Sequence, residues 1–364
     1  MEKKILTSEE LSPSCFIGVN GNDTISFGSG QPDLPPPAAV YHCLPDYKAF
    51  KYGTIAGDER LRQALSKQYP ESTKEDFVIT NGASEALDLA LRAIARQFDD
   101  TKKNKVLMLK PYYYSYPFIA KFAGLEPVFT ESVDGKIDFE DFKEKVQDCK
   151  AVIINSPSNP TGRVEEIETL KKIEALAEEL GFYILSDEVY KELIYGRENY
   201  LIKGPKVITI NSFSKTHAMC GFRIGYLWSK DKQIVQDVVN MKTHTSMNTN
   251  ILGQEMALQA TKTPQSEIDN QVKIWEERRD LIYNGLKDLG LDVWSPEGAF
   301  YILPKIENPK QFVLDMYNKY NVITYLGEWF GAPDRVRFSY ALDKEKIIEG
   351  LKRVKEYLDS RKSN

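Results

Sequence analysis

Between residues 75 and 228, short apolar runs alternate with stretches of helical periodicity, and this alternation constrains the fold more than any other feature of the chain. The apolar runs lie near 77–80, 106–110, 151–156, 182–188, 207–211 and 222–228, and helical spacing fits 84–97, 165–180 and 230–242. Strands without polar alternation are buried on both faces, the situation of a mostly parallel sheet covered by helices. The expected class is therefore α/β. From about residue 265 the pattern changes. A long helical stretch, Ser266 to Leu289, precedes short strand-like runs and a final amphipathic helix from Lys344 to Arg361, which reads as a smaller α+β unit.

Chemistry-bearing residues collect where the apolar runs stop. After Val207–Ile210 comes Ser212-Phe213-Ser214-Lys215-Thr216, and then Gly221-Phe222-Arg223-Ile224-Gly225. A lysine flanked by hydroxyls, with an arginine eight residues on, suits a Schiff-base amine beside a bound phosphate. The same residues also fit a strand end with a solvated lysine. After Ala151–Ile154, Asn155-Ser156-Pro157-Ser158-Asn159-Pro160-Thr161-Gly162 forms a turn. Loops at strand carboxyl ends are also where open α/β sheets hold ligands, and Asn159 has an amide to offer there. Asp187, ending the run Phe182–Leu185, is either a helix cap or a carboxylate that keeps a pyridine nitrogen protonated, with Tyr190 three residues on. Phe77–Thr80 turns through Gly82 into a helix. Ala83 and Ser84 there offer free backbone N–H groups to an anion, unless Ser84 or Asn81 merely caps the helix.

Composition narrows the function classes. The chain has 364 residues, 42% of them hydrophobic, enough for a large core and two domains. The net charge of −5, with signs interspersed, argues against a nucleic-acid stripe or polybasic membrane patch. The start, Met1 to Thr7, has no apolar core of the signal-peptide kind, and no apolar run reaches the length of a spanning helix. Cys15, Cys43, Cys149 and Cys220 lack paired spacing, and His42, His217 and His244 do not pair with them, so the expectation is reduced cytoplasmic thiols and no metal. No G-x-G-x-x-G follows a first strand, which argues against a nicotinamide cofactor.

In order along the chain, these segments resemble the fold-type I, pyridoxal-phosphate-dependent aminotransferases of class I/II. Gly28-Ser29-Gly30-Gln31-Pro32-Asp33 is similar to the family's opening loop, and Tyr52, Gly57 and Leu61-Arg62 to its Tyr…Gly…Leu-Arg signature. Pro111-Tyr112-Tyr113-Tyr114-Ser115-Tyr116, Pro296-Glu297-Gly298-Ala299-Phe300-Tyr301 and Arg335-Val336-Arg337-Phe338-Ser339-Tyr340 match further family segments. One departure is Leu326, in Tyr325-Leu326-Gly327-Glu328-Trp329-Phe330-Gly331, where the family usually has proline; this bears on substrate identity.

The resemblance implies a large pyridoxal 5'-phosphate-binding domain, residues 41–264, around a mostly parallel central sheet. It also implies a small C-terminal α+β domain, 265–364, joined by an N-terminal arm, 1–40. Lys215 would hold the cofactor as a Schiff base and then move the substrate's α-proton. Asp187 would pair with the pyridine nitrogen, Asn159 and Tyr190 would bond the ring oxygen, and Tyr113 would stack on the ring. Ala83, Ser84, Ser212 and Arg223 would bind the phosphate, and Tyr52 would reach the phosphate of a neighbouring subunit in a homodimer with shared sites. Arg337, with Asn159 and the Gly30 backbone, would hold the substrate carboxylate, with Arg335 a neighbour on the same face if both lie in a strand. Lys242 or His244 is either a partner-subunit cation for a distal carboxylate or a solvated helix-end residue. Tyr112, Tyr114, Trp329 and Phe330 would suit an aromatic pocket. The implied reaction moves an amino group from an acidic or aromatic L-amino acid to a 2-oxo acid such as 2-oxoglutarate. A carbon–sulfur β-lyase shares this machinery, and a non-enzymatic cofactor sensor is the remaining alternative.

Overall fold

The computed structural model describes residues 5–19, 21, 23–97 and 104–362. Residues 1–4, which begin the expected N-terminal arm, lie outside the described residues. The six apolar runs, joined by an edge strand at 126–130 that the sequence did not signal, form one seven-stranded sheet: β1 (Phe77–Asn81), β2 (Lys105–Leu109), β3 (Glu126–Thr130), β4 (Cys149–Asn155), β5 (Tyr183–Asp187), β6 (Val207–Ser212) and β7 (Ile224–Ser229), in the spatial order β1-β7-β6-β5-β4-β2-β3. All neighbouring pairs are parallel except those of β7, which runs antiparallel to both β1 and β6.

Side-chain alternation explains why the sheet takes helices on both faces. In β4, Ala151 and Ile153 pack with Leu87, Leu91 and Ile94 of α1 (Gly82–Arg96) and with Val238 of a further helix, Lys232–His244. Val152 and Ile154 pack on the opposite face with Leu170 and Ile173 of α2 (Ile167–Leu180). Each of the valine, leucine and isoleucine side chains here, buried from water, contributes about 1.5–3 kcal/mol. The helix Lys232–His244, here α3, starts where the Asp231 carboxylate accepts the N–H groups of Gln233 and Ile234.

A separate apolar core gathers Phe16, Ile25 and Phe27 with Trp275, Ile282 and Leu286 of the long helix α4 (Gln265–Asp288), and with Phe312, Phe338 and Val354. Here Ile25–Ser26 pairs in parallel with Val322–Ile323, so the described N-terminal residues join this C-terminal core. Arg337 is carried by β8 (Val336–Ser339), the middle strand of a three-stranded sheet. Among the described residues no helix is long and apolar enough to cross a membrane.

Candidate active site

The strand register brings the chemistry together. Asn155 lies opposite Asp187 across β4 and β5, and Ser212 lies opposite Gly225 across β6 and β7. The loops after these strands open into a cavity of about 630 Å³, closed on the far side by Gly28–Gln31, Tyr301, Tyr325 and Arg337.

Asp187 is buried, and its Oδ2 accepts the Tyr116 hydroxyl at 2.6 Å while Oδ1 accepts the Val189 N–H at 3.3 Å. Burial pushes its carboxyl up from 3.8 to about 6, against the lowering effect of those two hydrogen bonds and of the Lys215 charge. It is therefore mostly ionised at neutral pH. Asn155 donates its amide to the Asp187 carbonyl at 3.0 Å and accepts the Asn159 N–H at 2.8 Å, so one side chain fixes both the acid and the following loop. The Tyr190 hydroxyl pairs with that of Tyr301 at 2.8 Å, and burial drives the Tyr190 phenol well above its usual range. Lys215 donates from Nζ to the Gly30 carbonyl at 2.5 Å.

At one end of the cavity the backbone packs too closely for side chains. A Cβ on Gly82 would lie 2.5 Å from an Arg223 guanidinium nitrogen, and one on Gly225 would lie 2.5 Å from the Gly82 carbonyl carbon and 2.6 Å from the Ala83 nitrogen. Gly82 also holds φ +74°. The Asn81 side chain makes no capping bond to α1, which leaves the first turn's N–H groups and its dipole for an anion. Ser212 Oγ lies 2.7 Å from Ser214 Oγ, and Arg223 donates to the Cys220 carbonyl at 2.9 Å.

At the other end, Arg337 is 2% exposed. It donates to Asn159 Oδ1 at 3.0 Å and to the Gly28 carbonyl at 2.7 Å, and the rings of Tyr301, Tyr325 and Phe330 surround it at 4.7–4.8 Å. Its Nε is buried without a hydrogen-bond partner, and no carboxylate of the described residues forms an ion pair with it. A buried guanidinium without a counter-ion is costly unless a bound anion completes it.

Ala83, Ser84, Tyr113, Asn159, Asp187, Tyr190, Ser212, Lys215, Arg223, Gly30 and Arg337 thus meet in one cavity. Tyr52 stands outside it, 84% exposed, in a surface groove with Phe50 and Arg60. Arg335 points away from the cavity, to the Leu303 carbonyl and Asp292, under the Trp294 ring. Lys242 is neither solvated nor on the cavity: it is fully buried and bonded within its own chain, so its ammonium is spent on Glu85, Ser246 and Thr249. His244 is exposed on a side groove. Of the expected aromatic pocket only Tyr114 lines the cavity. Tyr112 stacks on Phe129, Trp329 packs on Tyr325, and Phe330 is buried against Arg337. The apolar wall is instead Phe16, Ile17 and Val19 with Tyr114 and Tyr325. Sequence reasoning also passed over Asn155, Tyr116 and Tyr301. Asn155 ends its strand just as Asp187 does, a signal that could have found it.

The family model described as aminotransferase class I and II matches residues 22–354. The chain belongs to that family. The probable aspartate/prephenate aminotransferase of Aquifex aeolicus is 34% identical to this aminotransferase, over 94% of this chain and 93% of its own. The crystal structure of the aspartate aminotransferase from Thermotoga maritima superposes with a TM-score of 0.86 at 31% identity, covering 93% of this chain and 92% of that one. That of an aromatic aminotransferase from Pyrococcus horikoshii gives 0.87 at 29% identity, covering 94% and 97%. The protein is thus a transaminase whose cofactor is pyridoxal 5'-phosphate.

Proposed function

We propose that this aminotransferase transfers the amino group of an aromatic or acidic L-amino acid to a 2-oxo acid such as 2-oxoglutarate, with aromatic donors accepted on the apolar wall of Phe16, Ile17, Val19, Tyr114 and Tyr325. The observation that carries the reading is Arg337, a buried guanidinium with an unpartnered Nε and no counter-ion, shaped to take the α-carboxylate that every donor and acceptor shares. The cavity's remaining cations, Lys215 and Arg223, have other work.

The side chains present fit the cofactor. The uncapped start of α1 at Ala83 and Ser84, with Ser212 and Arg223, offers N–H, hydroxyl and guanidinium donors to a phosphate. Asp187 presents a carboxylate to a ring nitrogen, Asn159 and Tyr190 offer donors to a ring oxygen, and Tyr113 offers a ring face. When bound, pyridoxal 5'-phosphate supplies an aldehyde and an electron-accepting ring. Lys215 would anchor the cofactor through its amine and, once freed by the incoming substrate, would take the proton from the substrate α-carbon. Arg337, with Asn159 and the Gly30 backbone, would hold the α-carboxylate at the end of the cavity away from the start of α1. Tyr301 holds the Tyr190 hydroxyl in place.

The same reading includes a cytoplasmic homodimer in which Tyr52 reaches the neighbouring subunit's phosphate, and a division into an arm (1–40), a large domain (41–264) and a small domain (265–364). The exposed Tyr52 and Phe50 support the dimer.

A panel of amino donors with 2-oxoglutarate tests the substrate assignment. Phenylalanine, tyrosine and aspartate should all be converted, and Arg337→Gln should lower kcat/KM for every one by ~10-fold or more, as for loss of charged hydrogen bonds. Conversion of acidic donors with aromatic ones inert would contradict the role of the apolar wall, and unchanged kinetics in Arg337→Gln would contradict the carboxylate site.

A further inference from the structure

Lys242 is fully buried, and its ammonium has three partners from two separate parts of the chain: Glu85 Oε2 at 3.0 Å, Ser246 Oγ at 2.9 Å and Thr249 Oγ1 at 3.4 Å. Glu85 belongs to the first turn of α1, one residue beyond the Ala83–Ser84 pair that faces the cavity. The same Oε2 that binds Lys242 reaches back to accept the Asn81 N–H at 2.5 Å, ahead of the helix. Glu85 thus ties down the turn through Gly82 while leaving the N–H groups of Ala83 and Ser84 open. Unopposed, its carboxylate would also place a negative charge within one turn of an anion site, where, part-buried, it is screened less than in open water. Lys242 cancels that charge.

Lys242 holds the other side of the arrangement as well. Its carbonyl accepts the N–H groups of Thr245 and Met247, at 3.1 and 2.7 Å. Thr249 Oγ1 continues to the Ile79 carbonyl in β1 at 3.0 Å, and Gln254 donates to the Thr249 carbonyl at 2.8 Å. One lysine therefore pins the 245–249 turn, strand β1 and the start of α1 to one another.

We infer that Lys242 is a positioning residue for the phosphate end of the cavity: it neutralises Glu85 and fixes the Asn81–Ser84 backbone, and so favours ligands that carry a phosphate. The inference rests on the phosphate site proposed above, and it makes Lys242 a determinant of cofactor retention rather than of donor choice.

The test compares binding of pyridoxal 5'-phosphate and of pyridoxal, which lacks the phosphate, to the apoprotein. Lys242→Met should weaken pyridoxal 5'-phosphate by ~10-fold or more while changing pyridoxal by less than ~3-fold, because the uncancelled Glu85 charge acts on the phosphate. Glu85→Gln keeps an acceptor for the Asn81 N–H and removes the charge, so it should tighten inorganic phosphate. The double variant should bring back the wild-type preference for the phosphorylated form. Equal weakening of both forms in Lys242→Met, or lower thermal stability with the preference intact, overturns the inference. If Lys242→Met does not fold, Glu85→Gln decides alone: phosphate binding that is unchanged or weaker overturns it. Arg223→Gln is measured in parallel. If it too leaves the preference untouched, the phosphate site itself is misplaced; if it abolishes the preference while Lys242→Met keeps it, only the role of Lys242 is wrong.

Discussion

Asp187 balances two opposed demands. The role proposed for it requires burial, to exclude water from the cofactor ring, and ionisation, to hold a proton there. Burial raises its carboxyl to about 6, and the Tyr116 hydroxyl is the first of the contacts that hold it down. Tyr116→Phe keeps the ring and removes the donor, so the Asp187 carboxyl should move further up. As the pH falls through that raised value the carboxylate is lost, and turnover with it. The acidic limb of the kcat–pH profile should therefore shift upward by up to about one unit, with a larger loss at pH 6 than at pH 8. An unshifted limb would show that Tyr116 is only a packing residue. Tyr116 stands in a segment whose pattern was readable, but its partner is 71 residues away and only the folded register shows the contact. Lys242 is the sharper case: whether a lysine at a helix end is solvated or buried depends on Glu85, 157 residues earlier.

At the scale of elements, apolar runs located the strands closely, 106–110 against the observed Lys105–Leu109 and 182–188 against Tyr183–Asp187. A strand buried on both faces looks the same in either direction, so the reversal of β7 was not legible. That reversal matters, because it sets Gly225 against the start of α1. Gly225→Ala would drive a methyl group into the Gly82–Ala83 peptide, an overpacking that costs about 1–3 kcal/mol. We expect a lower melting temperature for the apoprotein together with weaker binding of pyridoxal 5'-phosphate, measured by thermal melting and titration. Both quantities at wild-type values would mean that the turn relaxes freely and that its tightness is not what shapes the anion site. The wall of Phe16, Ile17 and Val19 was hidden for another reason: it lies in an irregular segment with no periodicity to read.

Across the whole molecule, the cavity is assembled from two packing units. The sheet supplies Lys215, Asp187, Asn159 and the start of α1, and the core around Trp275 and Phe338 supplies Arg337, Tyr301 and, from the apolar wall, Phe16, Val19 and Tyr325. Neither unit alone contains both a nucleophilic amine and a carboxylate clamp. The ordered motifs made this joint architecture legible, because those around Asn155, Asp187 and Ser212 report strand ends and the family resemblance places them together with Arg337. The central claim is that Lys215 is the amine that holds the cofactor at that junction. Borohydride reduction of the holoenzyme, followed by proteolysis and mass spectrometry of the peptides, tests it directly. The account predicts the reduced cofactor's mass on the peptide containing Lys215, and no labelled peptide in Lys215→Ala; a label on any other lysine would contradict it.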